Sequence, residues 1–169
     1  DTLTGLANRM KLAEVFARER AHAQRNGTPL ALVFLDIDHF KQINDRFGHE
    51  VGDRALEHFA ESLSQRLRVS DLLCRLGGEE FAVLLPGSNA RQAQDIAEDL
   101  RARLVQNPMP LADATLPMTL SAGIAELGSD GQTLDDLLLA ADRRTYAAKR
   151  AGRNQVIAWD AAPQAAPQA

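Results

Sequence analysis

The sequence predicts a mixed α/β fold of the α+β type, with a ferredoxin-like βαββαβ core and a central, mostly antiparallel sheet flanked by helices. Three observations predict it. The apolar run from Leu30 to Leu35 is typical of a buried strand, residues 72–85 have the pattern of a hairpin, and residues 118–124 alternate as a strand does. Helical patterns lie between these segments, so the order is strand, helix, strand, strand, helix, strand, with further helices before and after.

The N-terminal half is predicted to hold three helices and one strand. The helices cover residues 8–26, 40–47 and about 50–67. Leu12 and Phe16 recur at helical spacing in the first, and Gly27 stops the pattern. The buried strand follows, with the Asp36 carboxylate at its C-terminal end.

The C-terminal half begins with the clearest local signal, in which two apolar runs flank Gly77 and Gly78. This turn chemistry predicts a hairpin. The later predicted elements are a helix capped by Asn89, a loop at Pro108 and Pro110, the strand over 118–124, a helix from Thr133 to about Ala151, and a short strand over 155–159.

Length and composition fit one domain over residues 1–159 and a disordered Ala/Pro/Gln tail over 160–169. The 169 residues are 45% hydrophobic, which suffices for one core. A net charge of -4, from 19 basic and 23 acidic side chains, gives no general attraction for a phosphate backbone. We therefore expect no nucleic-acid partner, and any nucleotide chemistry must come from a local site.

The cellular setting is predicted from what the sequence lacks. A single cysteine, Cys74, excludes an internal disulfide, and no apolar run reaches the ~20 residues that span a bilayer. These features predict a cytoplasmic domain. Because the chain opens on Asp1, we expect it to be a domain of a longer protein, either soluble or membrane-anchored.

Carboxylates occur at the ends of two central strands, Asp36 and Asp38 after the first strand and Glu79 and Glu80 in the hairpin. The two strands are neighbours in a ferredoxin-like sheet, so Asp36 and the glutamates are expected to face each other. Oxygen ligands of this kind suit Mg²⁺, which arrives with substrate phosphates. The alternative is that Asp36 caps the next helix and the glutamates are solvated turn residues.

Two segments are candidates for holding phosphate. Phe40 and Lys41 lie at a helix N-terminus, where backbone N–H groups and the lysine can bind phosphate oxygens. Lys149 and Arg153 lie around the end of the last long helix and form a second possible clamp. The alternative for this pair is favourable charge at a helix C-terminus.

Five ordered motifs resemble those of the GGDEF domain, the catalytic domain of diguanylate cyclases. Residues 77–81 are the GGEEF variant of its signature, residues 1–9 resemble DxLTGLxNR, and residues 34–45 resemble FxDIDxFKxxND. Residues 47–53 continue the pattern, and residues 148–154 resemble AKxxGRN. The resemblance covers roughly residues 1 to 158 and implies a fold related to nucleotide cyclases and polymerase palms.

The resemblance implies condensation of two GTP molecules into cyclic di-GMP with release of two pyrophosphates. Asp36 and the Ile37 carbonyl would hold Mg²⁺, two ions per site, with Mn²⁺ as an alternative. Glu79 would share the metal and help deprotonate the attacking hydroxyl, and Glu80 is a secondary catalytic candidate. Each domain holds one GTP, so a homodimer with apposed sites is required.

Substrate contacts follow position by position from the same resemblance. Asn44 and Asp53 would bind guanine, whose N1–H and N2 amino group are donors that an amide oxygen and a carboxylate accept. Lys41, Lys149 and Arg153 would contact the β and γ phosphates.

Arg68 and Asp71 form an RxxD motif five residues before Gly77. In the family this spacing resembles an inhibitory site that binds the guanines of product cyclic di-GMP. An arginine fork suits guanine O6 and N7. The alternative is an exposed ion pair worth at most about 1 kcal/mol.

Other functions stay open at this point. A family member that has lost catalysis would bind GTP or cyclic di-GMP, although Asp36, Glu79 and Glu80 are all present here. A structural interaction domain leaves these carboxylates unexplained. An adenylyl cyclase or a polymerase-like palm shares the metal logic but lacks the GGEEF hairpin.

Overall fold

A computed structural model describes residues 1–161 of the chain. Five helices and seven strands follow in the order α1 (Arg9–Asn26), β1 (Leu30–Ile37), α2 (Phe40–Phe47), α3 (His49–Ser64), β2 (Leu72–Gly77), β3 (Glu80–Pro86), α4 (Ala90–Gln106), β4 (Met109–Pro110), β5 (Thr115–Leu116), β6 (Leu120–Glu126), α5 (Leu134–Arg150) and β7 (Gln155–Ile157).

The main sheet has the strand order β2-β3-β1-β6-β7. Only the β6–β7 pair is parallel; the other three pairs are antiparallel. The central strand β1 places Asp36 opposite Glu80 of β3 on one side and Ser121 of β6 on the other. The predicted fold class is confirmed, and this register brings the first strand and the hairpin together as expected.

Helices cover both faces of the sheet because β1 is apolar on both. Residues such as Val33 and Leu35 pack against α2, α3 and α4, while Leu32 and Phe34 pack against α1 and α5. Phe59 of α3 meets Phe81 of β3 with ring centroids 4.7 Å apart. Fully burying one such side chain stabilises the fold by roughly 1.5–3 kcal/mol, so this layer holds the ends of β1 and β3 in place.

Helix α5 lies unusually close to the sheet. A Cβ at Gly123 of β6 would lie 2.0 Å from the carbonyl oxygen of Ala141, so only glycine fits there. One turn further, the Thr145 hydroxyl donates to the carbonyl oxygen of Phe34 at 3.2 Å. This docking fixes the C-terminal end of α5, which carries Lys149, beside the end of β1.

The structure departs from the predicted elements in several places. The strand predicted over 118–124 is β6 over Leu120–Glu126, and the strand predicted over 155–159 ends at Ile157. Helix α3 ends at Ser64, although Leu67 still packs on the core and so prolongs the apolar stripe. The 108–117 segment contains the small β4–β5 pair instead of a plain loop. The hairpin turn is Gly78–Glu79, not Gly77–Gly78, because β2 extends through Gly77.

The C-terminal end of the described chain is held by arginines. Asp160 pairs with Arg143 at 2.9 Å and with Arg144 at 3.2 Å. Residues 162–169, most of the predicted tail, lie outside the described residues. Within residues 1–161, no helix has the length and apolar character needed to cross a membrane.

Candidate active site

A pocket of about 350 Å³ opens at the C-terminal end of β1. It collects seven of the residues that the sequence singled out: Asp36, Ile37, Phe40, Lys41, Glu79, Lys149 and Arg153. His39, Gln42 and Asp45 complete its lining. Three segments that are distant in the chain therefore converge here: the end of β1 with the start of α2, the hairpin turn, and the end of α5.

Asp36 is the innermost charged group of the pocket, only 5% exposed. Its Oδ2 accepts from Lys149 Nζ at 2.7 Å, whereas its Oδ1 has no hydrogen-bond partner among the described residues. Burial raises the pKa of the Asp36 carboxyl above its ordinary value, and the Lys149 ammonium offsets part of that rise. Asp36 does not cap α2; its N-cap residue is His39.

Glu79 lies at the tip of the hairpin and is half-buried. The Ile37 N–H donates to its backbone carbonyl at 3.3 Å, which ties the turn to the end of β1. Burial, and next the charge of Asp36, raise the pKa of the Glu79 carboxyl. Glu80 pairs with Asp36 in the sheet but is exposed and does not line the pocket.

An arginine that the sequence analysis did not single out braces this turn. Arg75 donates to the Gly78 carbonyl from Nε at 3.1 Å and from its second amino group at 2.9 Å. Its other amino group pairs with the Asp1 carboxylate at 3.1 Å. The Arg75 side chain thus links Asp1 to the hairpin turn that carries Glu79.

The donor set suits a divalent cation. Asp36 offers a buried carboxylate oxygen without a partner among the described residues. Burial raises the pKa of both the Asp36 and the Glu79 carboxyl, and a bound cation would stabilise their charged forms. The described residues contain no ready cluster of three ligating side chains. A metal here would therefore be held by Asp36, Glu79 and the Ile37 carbonyl, with the rest of its oxygen shell from substrate phosphates and water.

A second part of the pocket lining, at the start of α2, suits anions. His39 adopts a left-handed conformation (φ 57°) at the start of α2, and within the described chain its side chain makes no capping hydrogen bond. The first N–H groups of α2 are thus left without a side-chain acceptor. Lys41 is 89% exposed and forms a surface ion pair with Asp45 at 3.5 Å, and Arg153 is exposed, so both side chains can turn toward a phosphate.

The two guanine candidates lie on neighbouring helices outside the pocket lining. The side chain of Asn44 rests directly over Gly52, the residue before Asp53 in α3. Asp53 is exposed and Asn44 is half-buried.

Asp38 is the site residue to which the sequence analysis gave no role. It is 4% exposed and accepts hydrogen bonds from the Thr119 and Ser121 hydroxyls and from the Asn154 N–H. The sequence feature that could have indicated this role is Ser121, a polar residue in the largely apolar strand β6.

The RxxD residues lie at the other end of β2, away from the hairpin turn. Arg68 donates to Asp71 from its backbone N–H at 2.9 Å and from its guanidinium at 3.1 Å, and also reaches the Pro86 carbonyl and the Ser88 hydroxyl. The Arg68 side chain is 55% exposed and that of Asp71 is 2% exposed. The pair lines a shallow groove of about 430 Å³ with Gly5, Leu6 and Ala7.

Both the sequence and the fold of this chain are similar to those of known proteins. The family model described as "Diguanylate cyclase, GGDEF domain" matches residues 1–155. Diguanylate cyclase DgcP of Pseudomonas aeruginosa is 43% identical over 156 residues, which are 92% of this chain and 23% of that protein. The chain thus spans about a quarter of this curated relative.

Solved structures of GGDEF domains have a similar fold. The GGDEF domain of PA1120 (YfiN or TpbB) from Pseudomonas aeruginosa has a TM-score of 0.88 and 39% identity, covering 94% of this chain and 99% of that one. The GGDEF domain of DgcB from Caulobacter crescentus, solved with cyclic di-GMP, has a TM-score of 0.87 and 33% identity, covering 95% and 93%. This chain therefore belongs to the GGDEF domain family of diguanylate cyclases.

Proposed function

We propose that this chain is the catalytic domain of a diguanylate cyclase, which joins two GTP molecules into cyclic di-GMP and releases two pyrophosphates. The observation that carries the proposal is the convergence of Asp36, Glu79 and Lys149 in one pocket beside the N-terminus of α2, which has no side-chain cap. Family membership gives the pocket its chemistry, and the residues that the family's motifs require are all present.

The chemistry assigns a role to each wall of the pocket. Asp36, Glu79 and the Ile37 carbonyl would hold Mg²⁺, or Mn²⁺, two ions per site; the chemistry that such ions supply is a lower pKa of the GTP 3′-hydroxyl and stabilisation of charge on the phosphates. The Glu79 carboxylate helps to take the hydroxyl proton. The 3′-oxygen then bonds to the α-phosphorus of the second GTP as the bond to pyrophosphate breaks.

The basic residues stabilise the leaving group. Lys149 changes partner from the Asp36 carboxylate to a phosphate oxygen when substrate and metal arrive. Lys41 and Arg153 bind the β and γ phosphates, the arginine through its planar fork. Asn44 and Asp53 accept hydrogen bonds from guanine, a donor pattern that adenine lacks.

Two further features belong to the proposal. One pocket holds one GTP, so two copies of the domain must face each other, and the N-terminal part of the parent protein would control their meeting. The groove at Arg68 and Asp71 would bind product cyclic di-GMP as an inhibitor. Because GTP is a cytoplasmic substrate, the same proposal puts the domain in the cytoplasm.

The test is product analysis with a matched control. The chain, fused to a parallel coiled coil that brings two copies together, is incubated with GTP and Mg²⁺ and its products are identified by chromatography and mass. We expect cyclic di-GMP from the wild type and from Glu14→Gln, an exposed carboxylate on α1, and none from Glu79→Gln. Glu79→Gln should still bind GTP, because the base and phosphate contacts remain.

Three results would count against the proposal. GTP binding without turnover by the fused wild type would favour an inactive GTP or cyclic di-GMP binding module. Equal turnover of ATP would remove the guanine assignment. Full activity of Glu79→Gln would remove the role of Glu79.

A further inference from the structure

Asp38 connects three separate segments at the end of β1. Its Oδ2 accepts from the Thr119 hydroxyl at 2.7 Å and from the Asn154 N–H at 3.0 Å, and its Oδ1 accepts from the Ser121 hydroxyl at 2.6 Å. Its own N–H donates to the Thr119 carbonyl at 3.0 Å. Both carboxylate oxygens are therefore hydrogen-bonded inside the protein, and Asp38 does not line the pocket that contains Asp36.

The loop that Asp38 holds carries a phosphate-binding candidate. Arg153 and Asn154 both adopt left-handed conformations, with φ 63° and 49°. Such conformations are costly for residues other than glycine and persist where surrounding contacts enforce them. Asn154 is held by the Asp38 bond to its N–H and by a bond from Arg101 of α4 to its side-chain oxygen at 2.9 Å. Arg153 donates from its own N–H to the Ala148 carbonyl at 3.0 Å and accepts from the Gln155 side chain at 3.1 Å, so Asp38 is the contact that ties this loop to the end of β1.

We propose that Asp38 is a positioning residue, which sets Arg153 at the triphosphate end of the pocket relative to Asp36 at its metal end. One covalent step separates Asp38 from Ile37, whose carbonyl faces the metal in the proposed function, and one hydrogen bond separates it from the residue after Arg153. This inference rests on the proposed function, because it assumes that Arg153 contacts substrate phosphates. Asp38 itself touches neither substrate nor metal.

The test measures binding, so it does not depend on turnover. The probe is a GTP analogue with a methylene group between the α and β phosphates, titrated calorimetrically with Mg²⁺. Asp38→Ala removes the acceptor of the Asn154 N–H, and we expect affinity to fall about ten-fold, as it does when outer-shell partners of a site are lost. Asp38→Asn should stay close to wild type, because its amide oxygen can accept from Asn154 while its NH₂ group donates to the Ser121 hydroxyl.

A double-mutant cycle separates positioning from general damage. In an Arg153→Ala background, Asp38→Ala should change affinity less than two-fold, because the group that it positions is already absent. Ser121→Ala is the matched control, since it removes a bond to the other carboxylate oxygen and leaves the Asn154 bond in place. We expect its affinity to stay within two-fold of wild type.

Several outcomes would overturn the inference. They are unchanged affinity in folded Asp38→Ala, a full ten-fold loss in the Arg153→Ala background, or an Asn variant as weak as the Ala variant. If Asp38→Ala does not fold, amide exchange in the wild type decides: protection of the Asn154 N–H supports the inference, and open-loop exchange refutes it. If the wild type binds no analogue, the proposed function is refuted. Results from the Asp38 variants alone bear on the inference and do not refute the proposed function.

Discussion

Gly52 offers a sharp test of how guanine is recognised. A Cβ at this position of α3 would lie 1.8 Å from Asn44 Oδ1 and 2.9 Å from its Cγ. Because ordinary contact begins near 3.4 Å, Gly52→Ala must push the amide oxygen away by about 1.5 Å. Asn44 is half-buried and its side chain can rotate, so we expect the amide to move and the fold to remain.

The magnitudes favour a loss of binding over a loss of stability. Replacing a helical glycine with alanine stabilises a helix by about 1 kcal/mol, which offsets part of the crowding cost of about 1–3 kcal/mol and leaves a net cost of about 0–2 kcal/mol. Loss of one hydrogen bond to guanine costs about 1–1.5 kcal/mol, close to a ten-fold change in affinity. Gly52→Ala should therefore bind the methylene GTP analogue about ten-fold more weakly, with a Tm within a few degrees of wild type.

Asn44→Ala supplies the control for this reasoning. It should lose a similar affinity, and combining it with Gly52→Ala should cost nothing further, because the displaced group is already absent. Analogue binding by Gly52→Ala within two-fold of wild type would refute the argument. So would a large loss that remains in the Asn44→Ala background.

Three further predictions follow from the charges. Burial and the Asp36 charge raise the pKa of Glu79 in the fold, so the stability linked to this group is present at low pH and is lost as pH rises through the raised value. Glu79→Gln should thus raise Tm near neutral pH, with no gain below about pH 4; equal gains at both values would contradict this. Arg144 is buried and donates to the Ile124 carbonyl at 2.7 Å and to Asp130 at 2.8 Å. Arg144→Met should lower the free energy of unfolding, measured with urea, by about 3 kcal/mol. A loss below about 1 kcal/mol would indicate that water replaces the guanidinium. Arg68→Ala should raise the cyclic di-GMP concentration for half-inhibition at least about ten-fold if the groove binds product, whereas an unchanged inhibition curve would leave Arg68 as an ion pair only.

The sheet was predictable because its signals are local. The apolar run before Asp36 and the paired runs around Gly77 each determine a strand within a few residues. The β4–β5 pair was not predictable, since its two-residue strands include Pro110, which cannot donate to a ladder. The end of α3 was overestimated because Leu67 packs on the core from outside the helix.

The convergence of the pocket residues was predictable from their places at the ends of elements. Carboxylates at strand ends and basic residues near Gly152 suggested metal and phosphate binding, with a helix cap, a solvated turn and charge at a helix C-terminus as the alternatives. Asp38 needs knowledge of its neighbours, because its three partners come from β6 and the α5–β7 loop and nothing adjacent in sequence points to them. The identical residue type two positions earlier, Asp36, differs only in what the fold puts around it.

Because the pocket is assembled from three segments that are distant in the chain, it exists only when folding is complete. Asp36, Glu79 and Lys149 meet only after β3 and β6 have paired with β1 and α5 has docked over Gly123. A chain lacking any one of these steps has no pocket, so a bound nucleotide stabilises only the fully native state, by RT ln(1 + [L]/Kd). Unfolding of the last turn of α5 would separate Lys149 from Asp36, so in the proposed function the retention of nucleotide depends on the order of this helix end.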